Sequence, residues 1–260
     1  MLLAVDVGNT NVVFALIDGE TIRYRWRIAT DARRTADEYL VWLHQLMEME
    51  GVSRAAISDV VVACVVPKTL FNLRELSQRL TGRAPLVAGD PGVRYGIAVN
   101  LPDPSEVGAD RVVNAVAAHR QWPGSLIVID FGTATTFDVV SAQGSYEGGI
   151  IAPGINLSVD ALFQATARLP RVAVEPPADG LGVIGKGTVH AMQSGIFWGY
   201  MSLIEGLIAR VQAEIGENAI VVATGGLAPL FQSHSPLIRE VDPDLTIKGL
   251  IQIHALNRQG

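Results

Sequence analysis

The sequence predicts an α/β protein in which one fold is used twice, as a duplicated βββαβα core with a cleft between the two copies. Two observations predict it. Leu3-Ala4-Val5-Asp6-Val7-Gly8-Asn9-Thr10-Asn11-Val12-Val13-Phe14 is echoed by Ile127-Val128-Ile129-Asp130-Phe131-Gly132-Thr133-Ala134-Thr135-Thr136-Phe137-Asp138. Each is an apolar run, an Asp-x-Gly with small polar residues, and a second apolar-rich run. Asp6 and Asp130 stand 124 positions apart in a chain of 260 residues, so each half holds one such turn.

The elements follow in order. Leu2 to Val5, Val12 to Ile17 and Thr21 to Ala29 read as three strands, with Asp18-Gly19 turning the chain between the last two. Thr35 and Glu38 have capping-box spacing, Tyr39, Leu40, Leu43, Leu46 and Met47 recur at helical intervals, and Gly51 ends that helix. Asp59 to Val66 is a buried strand stopped by Pro67, and Leu70, Leu73, Leu76 and Leu80 mark a helix ending at Gly82. Pro102, Pro104 and Gly108 form a loop before a helix from Arg111 to His119. This puts the domain boundary near residues 110 to 124, with domains at 1–116 and 117–260. The second half repeats the pattern. Leu126 to Ile129, Thr135 to Val140 and a shorter run near Tyr146 to Ile151 are strands, and a helix spans about Leu157 to Ala167. A long helix from about Val189 to Ile215 leads to the buried strand Ala219 to Ala223, the turn Thr224-Gly225-Gly226, and a last helix near Leu245 to Leu256.

Composition bounds the function. With 49% hydrophobic and 18% charged residues the chain can bury one or two sizeable cores. The net charge of −6, with no basic tract longer than Arg33-Arg34, speaks against nucleic acid and anionic lipid as partners. An anionic ligand would need cations to mediate. The single cysteine, Cys64, lies inside an apolar run and reads as core, so no disulfide framework is expected and a reducing, cytoplasmic setting is. No leader pattern and no membrane-spanning run is visible.

An Asp-x-Gly turn between antiparallel strands has a physical use. Glycine lets backbone N–H groups approach a phosphate, Asn9, Thr10 and Asn11 add donors, and Asp6 can hold a metal or its water shell. An ordinary hairpin favours the same residues. Thr224-Gly225-Gly226 would let a flat or anionic ligand approach a strand's carboxyl end, or would merely begin a helix. In Gly108-Ala109-Asp110-Arg111 the helix N-terminal field would keep Asp110 ionised and able to accept a proton, while Arg111 could grip a carboxylate or phosphate. The alternatives are a cap and a surface residue. Gly180-Leu181-Gly182-Val183-Ile184-Gly185 satisfies a dinucleotide pattern, but Pro176-Pro177 separates it from a preceding strand, and Gly187 stands where a P-loop needs Ser or Thr. His44, His119, His190, His234 and His254 lack metal-ligand spacing. Gly195 and Gly199 suggest close helix packing within the monomer, or else a subunit contact.

Assembled, these residues resemble the type III pantothenate kinases, members of the acetate kinase, sugar kinase, Hsp70 and actin superfamily. Asp6-Val7-Gly8-Asn9-Thr10 resembles the family's first phosphate motif, Gly108-Ala109-Asp110-Arg111 its substrate motif, and Asp130-Phe131-Gly132-Thr133-Ala134-Thr135-Thr136 its second phosphate motif. Glu147 to Gly154 and Ala191 to Gly195 also resemble family segments. The resemblance implies two ribonuclease H-like (actin-like ATPase) domains and phosphorylation of pantothenate by ATP, the first step toward coenzyme A. Mg2+ and a monovalent cation, K+ or NH4+, would assist. Asp110 would be the proton acceptor and Asp130 the monovalent-cation ligand. Asp6, Val7, Gly8, Asn9, Thr10, Asn11, Val12, Val13 and Thr133 would hold the ATP phosphates, and Gly108, Ala109, Asp110, Arg111 and Thr188 would contact pantothenate. It also implies a homodimer with the pantothenate pocket near the subunit interface. Leu101 departs from an aromatic residue that many members carry there, so that pocket would be lined differently. Two other readings remain: a non-catalytic transcriptional accessory factor of the same fold, or another superfamily enzyme, either a kinase for a different hydroxy acid or a polyphosphate hydrolase.

Overall fold

The computed structural model describes residues 1–178 and 180–258. In chain order the elements are β1 (Leu2–Val7), β2 (Asn11–Asp18), β3 (Thr21–Ala29), α1 (Ala36–Met49), β4 (Asp59–Cys64), α2 (Pro67–Thr81), β5 (Leu86–Val87), β6 (Ala98–Val99) and α3 (Ala109–Gln121). They continue as β7 (Leu126–Phe131), β8 (Ala134–Val140), β9 (Ser145–Pro153), α4 (Ile155–Ala165), α5 (Thr188–Ile215), β10 (Ile220–Gly225), α6 (Ala228–Gln232), β11 (Glu240–Val241) and α7 (Leu245–Arg258). Contacts divide the chain into two compact units, Met1–Arg120 with the chain from Asp244 onward, and Gln121–Pro243. This division differs from the consecutive halves 1–116 and 117–260 because α7 packs on the first sheet.

In the first unit the sheet order is β3-β2-β1-β4-β5, with β1, β2 and β3 antiparallel and β1, β4 and β5 parallel. β1 and β4 are continuous apolar runs because both of their faces are covered. Leu3, Val5, Val60 and Val62 meet Tyr39, Leu43 and Met47 of α1 and Leu73 and Leu76 of α2. The alternate residues Leu2, Ala4, Val61 and Ala63 meet Val113 and Val116 of α3 and Ile247, Leu250 and Ile253 of α7. Thr35 and Glu38 form the expected capping box. Pro67, read as a strand stop, is the first residue of α2, where its missing N–H costs nothing.

Within the second unit the order β9-β8-β7-β10-β11 repeats that of the first, with the same parallel and antiparallel neighbours. Even the irregularities correspond: β2 slips register between Leu16 and Ile17, and β8 between Val139 and Val140. Ile127, Ile129, Phe131 and Phe137 pack against Phe197, Met201, Ile204 and Ile208 of α5 and Phe231 of α6. β9 runs to nine residues where a shorter strand was expected, because Gly148 and Gly149 interrupt its apolar pattern.

Candidate active site

The first Asp-x-Gly hairpin joins β1 to β2. Asp6 pairs with Val13 and Val7 with Val12, and the Gly8 N–H donates to the Asn11 carbonyl at 3.0 Å. Asn9 and Thr10 stand exposed at the tip. The loop leaving β3 closes on this turn, with the Thr30 hydroxyl donating to the Gly8 carbonyl at 2.7 Å and the Thr30 N–H to the Thr10 carbonyl at 2.9 Å.

In the second hairpin Asp130 pairs with Thr136 and Phe131 with Thr135, while the Gly132 N–H donates to the Ala134 carbonyl at 3.1 Å. This turn is one residue shorter, since the partner of Asp6 lies seven positions on and that of Asp130 six. The residue-by-residue echo in the sequence therefore slips by one after the glycine. The wider first turn presents more backbone and side-chain donors, whereas the second exposes Thr133 at its tip. The Thr133 carbonyl is tied down by the Gly154 N–H at 3.1 Å.

A close approach explains Gly225. Its φ is +90°, and a Cβ there would lie 2.8 Å from Asp130 Oδ1 and 2.6 Å from the Phe131 carbonyl. Only glycine fits. The Thr224-Gly225-Gly226 element thus packs the end of β10 against the Asp130 carboxylate.

Because β1, β4 and β5 are parallel, their carboxyl ends share one edge of the first sheet. Ala109 reaches that edge, since a Cβ on Gly89, just past β5, would lie 3.9 Å from the Ala109 Cβ. Gly108-Ala109-Asp110-Arg111 therefore opens α3 at the edge that carries the Asp6 turn, the usual place for a site in such a sheet. The Arg111 N–H donates to Asp110 Oδ1 at 2.8 Å, and a Cβ on Gly108 would come within 2.7 Å of the same oxygen. Burial pushes the Asp110 carboxyl above its ordinary value, outweighing the Arg111 N–H and guanidinium that pull it down. The direction is opposite to the one expected from the helix field alone, and it makes Asp110 a better proton acceptor.

Thr188 is the first residue of α5, exposed, on the rim of an apolar groove between α4 and α5. The structure thus joins Asp6 to Val13 with Gly108 to Arg111 in one unit and places Asp130, Thr133 and Thr188 in the other. A Cβ on Gly195 or Gly199 would meet nothing within 4 Å, so close packing inside the monomer is not what these glycines provide.

Sequence reading missed the supports beneath the turns. The Tyr200 hydroxyl donates to Thr135 Oγ1 at 2.5 Å, and Tyr146 donates to the fully buried Asp138 at 2.8 Å. Thr136 also donates to Asp138, at 3.2 Å. Polar residues at alternate positions of an apolar strand, Thr136 and Asp138, were the available signal. Nothing in the sequence around Thr30 or Tyr200 announces a partner so far away. The Gly180 to Gly185 stretch has no strand directly before it among the described residues, and its Gly182 carbonyl is bonded by His190. No group of three or more His, Cys, Asp or Glu able to hold a metal occurs among the described residues, and no helix there is long and apolar enough to cross a membrane.

Two units of identical strand order, each with an Asp-x-Gly hairpin at the edge where its parallel strands end, define the actin-like ATPase and sugar-kinase fold. An inorganic polyphosphate/ATP-glucomannokinase from Arthrobacter shares it at TM-score 0.53 and 14% identity, over 98% of both chains. A protein described as a Baf family transcriptional activator from Campylobacter jejuni superimposes at TM-score 0.63 and 19% identity, over 99% of this chain and 100% of that one. The profile of the type III pantothenate kinase family matches residues 2–210. A type III pantothenate kinase of Rhizorhabdus wittichii is 59% identical over 250 residues, 96% of each chain. This chain belongs to the type III pantothenate kinase family.

Proposed function

We propose that the chain transfers the γ-phosphoryl group of ATP to the primary hydroxyl of pantothenate, giving 4'-phosphopantothenate and ADP, the first step of coenzyme A synthesis. The observation that carries this reading is the Gly108 to Arg111 motif at the sheet edge that also holds the Asp6 turn, in a chain of this family. Asp110 accepts the hydroxyl proton as the oxygen attacks the γ-phosphorus. The bond from that phosphorus to the β–γ bridging oxygen breaks, and ADP leaves with the electron pair. Such transfers depend mainly on positioning and charge stabilisation. Arg111, with Gly108, Ala109 and Thr188, contacts pantothenate, whose carboxylate suits a guanidinium.

Asp6 to Val13 hold the ATP phosphates, the role that the family motif also gives Thr133. The donors near these turns are hard oxygens, which fit Mg2+ and K+. Asp6 would hold Mg2+ or its water shell. Asp130 would hold K+ or NH4+. When bound, these cations neutralise charge on the phosphates of an otherwise acidic protein. The chain works in the cytoplasm as a homodimer, with the α4/α5 groove as the surface a second copy covers.

Purified protein given ATP, Mg2+ and K+ should release ADP only when pantothenate is present. Asp110→Asn should lower kcat by about 10²- to 10⁴-fold, the usual contribution of a positioned base, while ATP still binds. Absence of pantothenate-dependent ADP release would overturn the reading, and equal rates with and without K+ would remove the role given to Asp130.

A further inference from the structure

We infer that Thr30 is a positioning residue for ATP, setting the shape of the first phosphate turn from behind; this rests on the kinase reading above. Thr30 lies outside the Asp6 to Val13 segment, 22 positions from Gly8, yet it makes two bonds to that turn. Its hydroxyl holds the Gly8 carbonyl at 2.7 Å and its N–H holds the Thr10 carbonyl at 2.9 Å. In a planar trans peptide the C=O and the following N–H point in opposite directions. Fixing the Gly8 carbonyl therefore turns the Asn9 N–H away from Thr30, and fixing the Thr10 carbonyl does the same for the Asn11 N–H. Two amides of the turn are thereby held facing away from β3. They need no reorganisation when an anion arrives, which is what makes preorganised donors effective.

The two bonds are separable. The N–H bond continues the β2–β3 ladder and would survive any side chain except proline. The hydroxyl bond is the side chain's own contribution, and it grips the peptide next to the exposed tip residue Asn9. At the second hairpin the Gly154 N–H holds the Thr133 carbonyl at 3.1 Å.

The test compares Thr30→Val, which keeps the branched shape and the N–H, with Thr30→Ser, which restores the hydroxyl. Binding of ATP with Mg2+ is measured by titration calorimetry, alongside steady-state kinetics and thermal unfolding. Loss of one such hydrogen bond should weaken ATP binding by roughly five- to tenfold in Thr30→Val and raise KM for ATP correspondingly. KM for pantothenate should change by less than about twofold, and Thr30→Ser should bind ATP within about twofold of the unaltered chain. Equal ATP binding by Thr30→Val, equal impairment of Thr30→Ser, or a parallel rise in both KM values would each overturn the positioning role. If the unaltered chain failed to bind ATP, the kinase reading itself would fall, an outcome distinct from loss of the clamp alone.

Discussion

The most informative single residue is Asp110, because its burial and its chemistry pull against each other. Its folded-state pKa is raised above the ordinary carboxylate value, with burial as the largest cause. Folding therefore disfavours the ionised form. The stability Asp110 contributes is fully present below its unfolded pKa and is lost as pH rises through the folded value. Asp110→Asn removes a charge that the fold holds at a cost, so at pH 7 the variant should melt at the same temperature as the unaltered chain or higher, while turnover collapses. Calorimetric unfolding between pH 4 and pH 8 checks this: the stability difference should move in favour of the variant as pH rises. A pH-independent difference would show that burial does not govern this carboxyl. The acid limb of kcat/KM should also sit above that of an ordinary carboxylate, since the ionised form is the one that takes the proton.

Among the elements, α7 is the one whose place the sequence did not disclose. Its buried positions Leu245, Ile247, Leu250 and Ile253 are plain in the helical spacing, but spacing says which face is apolar and not which sheet covers it. The structure sets Leu250 and Ile253, both fully buried, against Val61 of β4 and Val113 of α3. Leu250→Ala should therefore destabilise the chain by about 2 to 5 kcal/mol, the range for a buried leucine whose cavity cannot collapse. Urea unfolding measures it, and a loss below about 1 kcal/mol would mean that α7 adds little to the first unit. The other elements divide along the same physical line. Strands and helices with their own periodicity, such as Thr21 to Ala29 or the Thr35-capped α1, were legible. The two-residue β5 and β11 and the five-residue α6 around Pro229 have too few positions to show a period. Local motif chemistry singled out Asp6, Asp110 and Asp130 as candidates. Thr30 and Tyr200 were not legible, nor was the need for Gly225, because their partners come from distant strands.

At the scale of the whole molecule, duplication explains the repeated strand order but does not account for an apolar surface beside α4 and α5. Between α4 and α5 lies an apolar groove of about 670 Å³ lined in part by Leu162, Met192, Gly195, Ile196, Gly199 and Leu203. Leu157, Leu162 and Phe163 of α4 are exposed nearby, more apolar surface than scattered residues on a monomer would explain. The two glycines keep one wall of the groove low, and a Cβ on either would meet nothing within 4 Å. A backbone left bare on a long helix costs about 1 kcal/mol per glycine relative to alanine, so a use outside the monomer is the economical explanation. If that use is a second copy of this chain, the protein should sediment at twice 27.8 kDa. Gly199→Glu would place a charge in the groove, where its Cβ would meet nothing within 4 Å. It should therefore sediment as a monomer with unfolding little changed. A dimeric Gly199→Glu would move the interface elsewhere, and an unaltered chain that sediments at 27.8 kDa would remove it. Because Thr188 stands on the rim of the same groove, a monomeric variant should also raise KM for pantothenate more than KM for ATP. Equal effects on both substrates would separate the groove from the pantothenate pocket.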